Sequence, residues 1–424
     1  MLLRGGRLVD PASGRDGIAD LRITEGKIAE IGTDLKAKDK EDVLDLTGKV
    51  VCPGFLDMHV HLREPGQEWK ETVETGTRAA AAGGFTGVAC MPNTHPVNDN
   101  RSVTELIVAQ ARLRGAVAVH PVGCVSKGQE GKELAEMGDM VDAGAVAFSD
   151  DGKPVATAQM MRRALEYSKI FGVPIIDHCE EPTLVDGGVV HEGPISMRMG
   201  LKGWPGVAED VMVMRDILLA EYTGGHVHIA HMSTGRSALF VREGKKRGIH
   251  VTCEVTPHHF LLTHEAVVGY DTDAKMNPPL RTEQDRDRLL QALVDGTVDA
   301  IATDHAPHHA DEKCVEFSMA PFGVVGLETA VSLCLDRLVH ANVLPLSRMV
   351  ALFTTGPAGV LGLDKGTLAP GKDADVTVLD LERTVTVEPK EFKSKSQNTP
   401  FKGLTLKGTP ILTVVGGKVI HDAR

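Results

Sequence analysis

Asp57-Met58-His59-Val60-His61-Leu62-Arg63-Glu64-Pro65 follows the apolar run Val50-Val51-Cys52-Pro53-Gly54-Phe55-Leu56. The run reads as one short buried strand, and the polar residues mark its end. Side chains alternate along a strand with period two, so His59 and His61 point the same way. Two neutral imidazoles on one face of a strand end make a pair of metal donors. An H-x-H alone is a weak signal, because one such His is often exposed and the other a hydrogen-bonded core residue. Its weight depends on what recurs downstream.

From residue 52 onward, short apolar stretches alternate with longer amphipathic ones. Strands are predicted at 87–91, 116–122, 145–148, 173–176, 226–230, 250–255 and 300–303. Most run into polar residues: Pro92-Asn93, Ser149-Asp150-Asp151, Asp177-His178-Cys179-Glu180, His231, Thr256-Pro257-His258 and Asp304-His305. Helical periodicity fills the gaps at 69–82, 156–171, 207–222, 237–247 and 283–294. With the opening strand this gives eight units, the requirement of an α/β chain folded as a (β/α)8 TIM-type barrel. A doubly wound sheet would have fewer strands and a glycine-rich phosphate loop, and the sequence has none. In a barrel, residues just past the strand ends converge on one face, where chemistry sits.

The two ends of the chain differ from this pattern. Residues 2–9, 18–23, 27–31 and 43–45 are β-rich and too tightly spaced for intervening helices. After 355, a turn-rich lead at 366–375 enters another strand at 376–379. Stretches 411–415 and 418–420 flank Gly416-Gly417, a hairpin signal. We expect 1–51 and 355–424 to join in one small β-sandwich beside a catalytic barrel formed by 52–354.

Composition narrows the function. The 424 residues are 42% hydrophobic and carry a net charge of −12. No basic tract is present, which argues against nucleic acid or an anionic membrane as partner. An anionic small-molecule substrate would need a local positive cluster. The seven Cys are scattered without a C-x-x-C, as in a reduced, cytoplasmic protein. The N-terminal apolar run is too short for a signal peptide, and no run of about 18 apolar residues predicts a membrane span.

Six candidate metal ligands stand at strand ends: His59, His61, Asp151, His178, His231 and Asp304. Four His and two Asp exceed one tetrahedral zinc site. They suit two divalent metal ions per chain, zinc (Zn2+) foremost. His59, His61 and Asp304 would hold one ion, His178 and His231 the other, with Asp151 between them. Such pairs activate water and polarise a carbonyl. His120 reads as structural, and His258 and His259 as residues that orient ligands or loop. His95, His191, His264 and His340 read as surface or loop residues.

Two long segments, D-M-H-V-H-L-R-E-P at 57–65 and A-T-D-H-A-P-H-H-A-D-E-K at 302–313, resemble the signatures of dihydroorotases. M-P-N-T at 91–94, D-H-C-E at 177–180, H-M-S-T at 231–234, M-N-P-P-L-R at 276–281 and N-T-P-F at 398–401 are similar to the bacterial class I form. The resemblance implies the amidohydrolase fold and reversible, metal-dependent cyclisation of N-carbamoyl-L-aspartate to L-dihydroorotate in de novo pyrimidine biosynthesis. Many relatives bridge their metals with a carboxylated Lys on the fourth strand. Here that strand has no Lys and ends in Asp150-Asp151, which favours Asp151. Lys153, between Gly152 and Pro154, stays the alternative bridge.

By the same resemblance Asp304 is the catalytic proton carrier. Arg63, two residues beyond His61, offers a planar fork to the substrate carboxylate, helped by Asn93 and His308. His61 also borders the substrate, and Asn277 with the backbone at Phe322 and Gly323 contacts the ring amides. The polar stretch 306–318 reads as a loop able to close over the site. The competing readings are another cyclic amidase, hydantoinase or allantoinase, and a non-catalytic partner subunit of aspartate carbamoyltransferase. A homo-oligomer and an association with that transferase are further expectations.

Overall fold

Gly54 divides the opening stretch in two. A Cβ at this position would lie 2.1 Å from Thr86 Oγ1, so the backbone passes where no other residue fits. Val50–Pro53 before it pairs with Leu2–Asp10 and Val376–Thr386 in a flanking sheet, whereas Phe55–Val60 after it opens the barrel. The expected single strand is therefore two strands in different sheets. Both halves are fully buried, so hydropathy carries no mark of the change. A computed structural model describes all 424 residues.

The barrel strands are β1 (Phe55–Val60), β2 (Phe85–Cys90), β3 (Ala118–Gly123), β4 (Ala147–Phe148), β5 (Ile175–Asp177), β6 (Val227–Ile229), β7 (Val251–Val255) and β8 (Ala300–Ile301). They pair in parallel in sequence order. A bridge from Val60 to His305 and a hydrogen bond from His61 N to His305 O (2.8 Å) close the ring. A cluster including Leu56, Met58, Ala89, Ala147, Ile176 and Ala300 draws on several strands at once and fills the interior. A larger cluster, in which Phe55 stacks on Phe353 and Phe85 meets both rings edge-on, packs helices around the outside.

The helices fall where the periodicity puts them, with one informative difference. The first begins at Val73 rather than 69, because Thr72 caps it by accepting from Thr75 N. This frees Trp69–Glu71 for a loop on the active face, and Glu71 is fully buried there. The others include Ala158–Ser168, Val207–Thr223, Gly235–Lys246 and Glu283–Val294. No helix is long and apolar enough to cross a membrane.

Both chain ends build the flanking eight-stranded sheet, with Leu2–Asp10 and Arg15–Thr24 on one side of Val50–Pro53 and Val376–Thr386 and Thr405–Val415 on the other. Leu3, Leu8 and Leu21 share its core with Val376, Val378 and Leu412. The segment between the two long C-terminal strands leaves this sheet and runs to the mouth of the barrel.

Candidate metal centre and substrate pocket

The strand ends bring all six candidate ligands together. His59 Nε2 lies 3.3 Å from Asp151 Oδ1 and 3.6 Å from Asp304 Oδ1. His61 Nε2 lies 3.5 Å from Asp151 Oδ2 and 3.2 Å from Asp304 Oδ1. On the other side of Asp151, His178 Nδ1 and His231 Nε2 each stand 3.4 Å from Oδ1 and 2.9 Å from one another. Bonds of about 2.0–2.1 Å around a tetrahedral ion put ligand atoms roughly 3.3 Å apart, close to these spacings. Two groups result, His59–His61–Asp151 and Asp151–His178–His231, with Asp151 common to both. Lys153 Nζ donates to Gln129 O at 3.2 Å, which ties that side chain to the loop after β3.

The outer partners show which atoms face inward. His59 Nδ1 donates to Glu254 (2.7 Å), His61 Nδ1 to Asn93 Oδ1 (2.8 Å) and His178 Nε2 to Glu180 (3.0 Å). Each of these bonds fixes a tautomer and turns the opposite nitrogen's lone pair toward the centre. His59 Nε2 is buried without a hydrogen-bond partner. The ring nitrogens of His59, His61 and His178 left free by these bonds converge with His231 Nε2 and the Asp151 and Asp304 oxygens, a set that a cation satisfies, so the residues fit a divalent metal site.

Without an ion, and against the effect of burial, the carboxylates instead hold protons on these rings, His59 well above the usual imidazole range and His178 at about 10. Burial opposes ionisation of Asp304, but the His61 hydrogen bond and the fields of His59 and His231 hold its carboxyl below the usual range. Asp151 is likewise buried and still held well below that range, chiefly by His59, His178 and His231. Glu254, where burial is outweighed by His59 and His228, sits at about 2. Arg63, His231 and Asp304 all adopt left-handed backbone, with φ of 61°, 28° and 47°. Such conformations in non-glycine residues concentrate at functional sites.

Beside the metal groups lies a cavity of about 300 Å³, lined among others by Arg63, Asn93, Asn277, His308, Phe322 and Gly323. Arg63 is only 7% exposed and forms no ion pair. Its Nε donates to Pro307 O (3.2 Å). The neighbouring acids are engaged elsewhere, Glu64 with Val73 N and Glu68 with Gly66 N. Burial lowers the guanidinium to about 10, which leaves it charged at neutral pH. Asn277 Nδ2 donates to Glu180 (3.0 Å), while its Oδ1 is buried without a partner.

His308 and Gly323 reach the cavity already engaged. His308 Nε2 donates to Phe322 O (2.8 Å), its Nδ1 stands 3.5 Å from Lys70 Nζ, and burial with the charges of Arg63 and Lys70 pushes it down to about 2. Gly323 N donates to Lys275 O (2.9 Å). A Cβ on Gly323 would meet Ala306 at 2.8 Å, and its φ is +139°.

Sequence reasoning missed Glu254 and Glu180. The signal for Glu254 was available, as a lone charge inside the apolar strand β7. His259 joins Thr256 Oγ1 (2.8 Å) to Pro278 O (2.9 Å) and so braces the Asn277 loop. His258 is buried with Nε2 unpartnered and is pushed down to about 4 by burial. His191, expected on a surface or loop, instead faces Arg281 at 3.3 Å.

Comparison with known proteins gives concordant results. A family model described as dihydro-orotase-like matches residues 48–237, and one described as amidohydrolase family matches 325–421. The chain is 56% identical over 424 residues to a dihydroorotase of Pelotomaculum thermopropionicum, covering 100% of this chain and 99% of that protein. It is 52% identical over 421 residues to a dihydroorotase of Geobacter metallireducens, covering 99% of each. Among solved structures it superposes on the L-hydantoinase (dihydropyrimidinase) of Arthrobacter aurescens with a TM-score of 0.91 at 26% identity, over 100% of this chain and 96% of that one.

Proposed function

The chain belongs to the dihydroorotase family of the amidohydrolase superfamily, and from that premise we propose how its pocket works: the substrate carboxylate sits on Arg63 and the scissile amide faces Asp304. The observation that carries this is Arg63 itself, a buried cation without a counter-ion in a chain of net charge −12. L-Dihydroorotate and N-carbamoyl-L-aspartate bring the carboxylate that completes the pair, through the two parallel hydrogen bonds a guanidinium favours.

His59, His61 and Asp304 would hold one divalent ion and His178 and His231 a second, with Asp151 between them. Zinc suits this nitrogen-rich set, and ions so placed lower the pKa of water and polarise an amide carbonyl. The chain's own residues do the rest. In hydrolysis Asp304, held ionised, accepts the proton of the attacking water and delivers it to the leaving ring nitrogen. In cyclisation it removes the proton from the ureido nitrogen. Asn93 uses Oδ1 on His61 and keeps Nδ2 for the carboxylate. Asn277, fixed through Nδ2 by Glu180, offers its unpartnered Oδ1 to a ring N–H. His308 joins the carboxylate when it releases Phe322 O, and the Phe322–Gly323 backbone walls the ring.

The same reading places the enzyme in de novo pyrimidine biosynthesis and in the cytoplasm, consistent with seven free thiols, six of them buried. A homo-oligomer is supported by the exposed apolar run Val211, Met214, Leu218 and Tyr222 on one face of the helix Val207–Thr223. An association with aspartate carbamoyltransferase rests on the resemblance alone. The likeness to hydantoinases favours a second reading, an uncharged cyclic amide as substrate. Turnover of dihydroorotate, hydantoin and allantoin by the purified enzyme separates the two: dihydroorotate should be strongly preferred, and a preference for hydantoin would overturn the first reading.

A further inference from the structure

The N-T-P-F stretch at 398–401 lies in the C-terminal half, far along the chain from the barrel strands. Its first residue nevertheless reaches the substrate pocket. Asn398 is 4% exposed. Its Oδ1 accepts from His308 N (3.1 Å), and its Nδ2 donates to both Ala306 O (3.1 Å) and Gly323 O (3.0 Å). Its own carbonyl accepts from Val325 N (2.9 Å). One amide side chain thus ties the loop after β8, which carries His308, to the loop that carries Phe322 and Gly323. Only this orientation of the amide puts acceptor against donor at all three contacts.

The segment leading to Asn398 is stitched to the barrel by two acids, the half-buried Glu328 and the fully buried Glu71. Glu328 accepts from Lys393 N (2.8 Å) and Ser394 N (3.1 Å). Glu71 accepts from Ser394 Oγ and from Lys395 N (3.2 Å). Ser396 Oγ donates to Lys70 O (2.8 Å). Residues 393–398 therefore form a strap from the flanking sheet across the barrel mouth. Backbone groups that must otherwise find water are held by it in one geometry.

We propose that Asn398 is a positioning residue for substrate binding, and that the docked strap sets the distance between the His308 loop and the Gly323 loop. This rests on the reading that those two loops meet the substrate. Asn is specific here. Ala leaves one N–H and two carbonyls without partners, whereas Asp sets a carboxylate oxygen against two carbonyl oxygens and is at least as damaging.

The test compares metal-loaded, full-length wild type with Asn398→Ala and Asn398→Asp, by steady-state kinetics on dihydroorotate and by amide hydrogen exchange. The expected result is faster exchange in 305–309 and 320–326 with the barrel strands unchanged. KM should rise about tenfold or more, with Asp no milder than Ala, and kcat should stay within roughly threefold. Glu328→Ala, which frees the base of the strap and touches neither metal ligand nor substrate, should reproduce the pattern more weakly and serves if the Asn398 variants fail to fold. Unchanged exchange in both loops overturns the strap. Faster exchange with an unchanged KM shows instead that the loops do not meet the substrate, and the positioning role falls with that reading. A fall in kcat at constant KM also overturns it.

Discussion

In the variant Arg63→Met, an unbranched apolar side chain of similar reach replaces a guanidinium that is 7% exposed and has no counter-ion. Two consequences of opposite sign follow. The substrate carboxylate loses two charge-assisted hydrogen bonds, each typically worth about 1.5–3 kcal/mol. Allowing for water that takes their place, about 2–4 kcal/mol of binding should go, and KM should rise roughly 30- to 1,000-fold. Because the carboxylate is remote from the reacting amide, kcat should change only a few-fold. The fold responds in the other direction. An unpaired buried charge carries a desolvation penalty of several kcal/mol, against which Arg63 sets a hydrogen bond to Pro307 O and a 3.5 Å contact with His308 Nε2. Met removes the penalty, so the substrate-free variant should melt no lower than wild type and somewhat higher at neutral pH. Steady-state kinetics and a thermal melt on one preparation, with metal content matched, read both. A normal KM would refute the carboxylate assignment. A markedly lower melting temperature would mean that Arg63 has a structural partner and that its charge is not kept for the substrate.

Asp304→Asn keeps the shape and an oxygen for metal but cannot take a proton, so kcat should fall roughly a hundredfold or more in both directions at matched metal occupancy. The Asp304 carboxyl is depressed in the fold, so it protonates only in acid, and any stability it confers is present above the usual carboxylate range and lost as pH falls through its lowered value. Over the neutral range Asp304 stays ionised, and the two directions should show opposite pH trends because cyclisation takes up a proton overall; parallel trends would contradict this. Glu254→Gln removes the charge that His59 Nδ1 faces at 2.7 Å and should weaken divalent-ion affinity about 10- to 100-fold with the fold intact, as measured by competition with a chelator.

The barrel and the convergence of the candidate ligands were legible because apolar strands ending in His or Asp carry position and chemistry in the same few residues. His59, His61, Asp151, His178, His231 and Asp304 all converge as that pattern requires. What the sequence hid lies in contacts between distant segments. The Gly54 break is invisible because the strands on both sides are buried. Glu254 sits 195 residues from His59, and no local pattern links them. Asn398 meets His308 across 90 residues from a strap that reads as part of the flanking sheet. Arg63 could be recognised as a cation at a strand end, but the lack of a counter-ion depends on Glu64 and Glu68 each turning to a backbone N–H. His308 lines the cavity, and its bond to Phe322 O emerges only from the three-dimensional packing.

The most direct test is to strip the enzyme of metal, titrate zinc back, and follow bound ions per chain together with dihydroorotate turnover and, in parallel, hydantoin turnover. Activity on dihydroorotate should reach its plateau with two ions bound per chain, and the same titration of Asp151→Ala, which removes the residue common to both groups, should restore neither full occupancy nor activity. Full dihydroorotate turnover at one ion per chain, or a hydantoin rate above that on dihydroorotate, would contradict this.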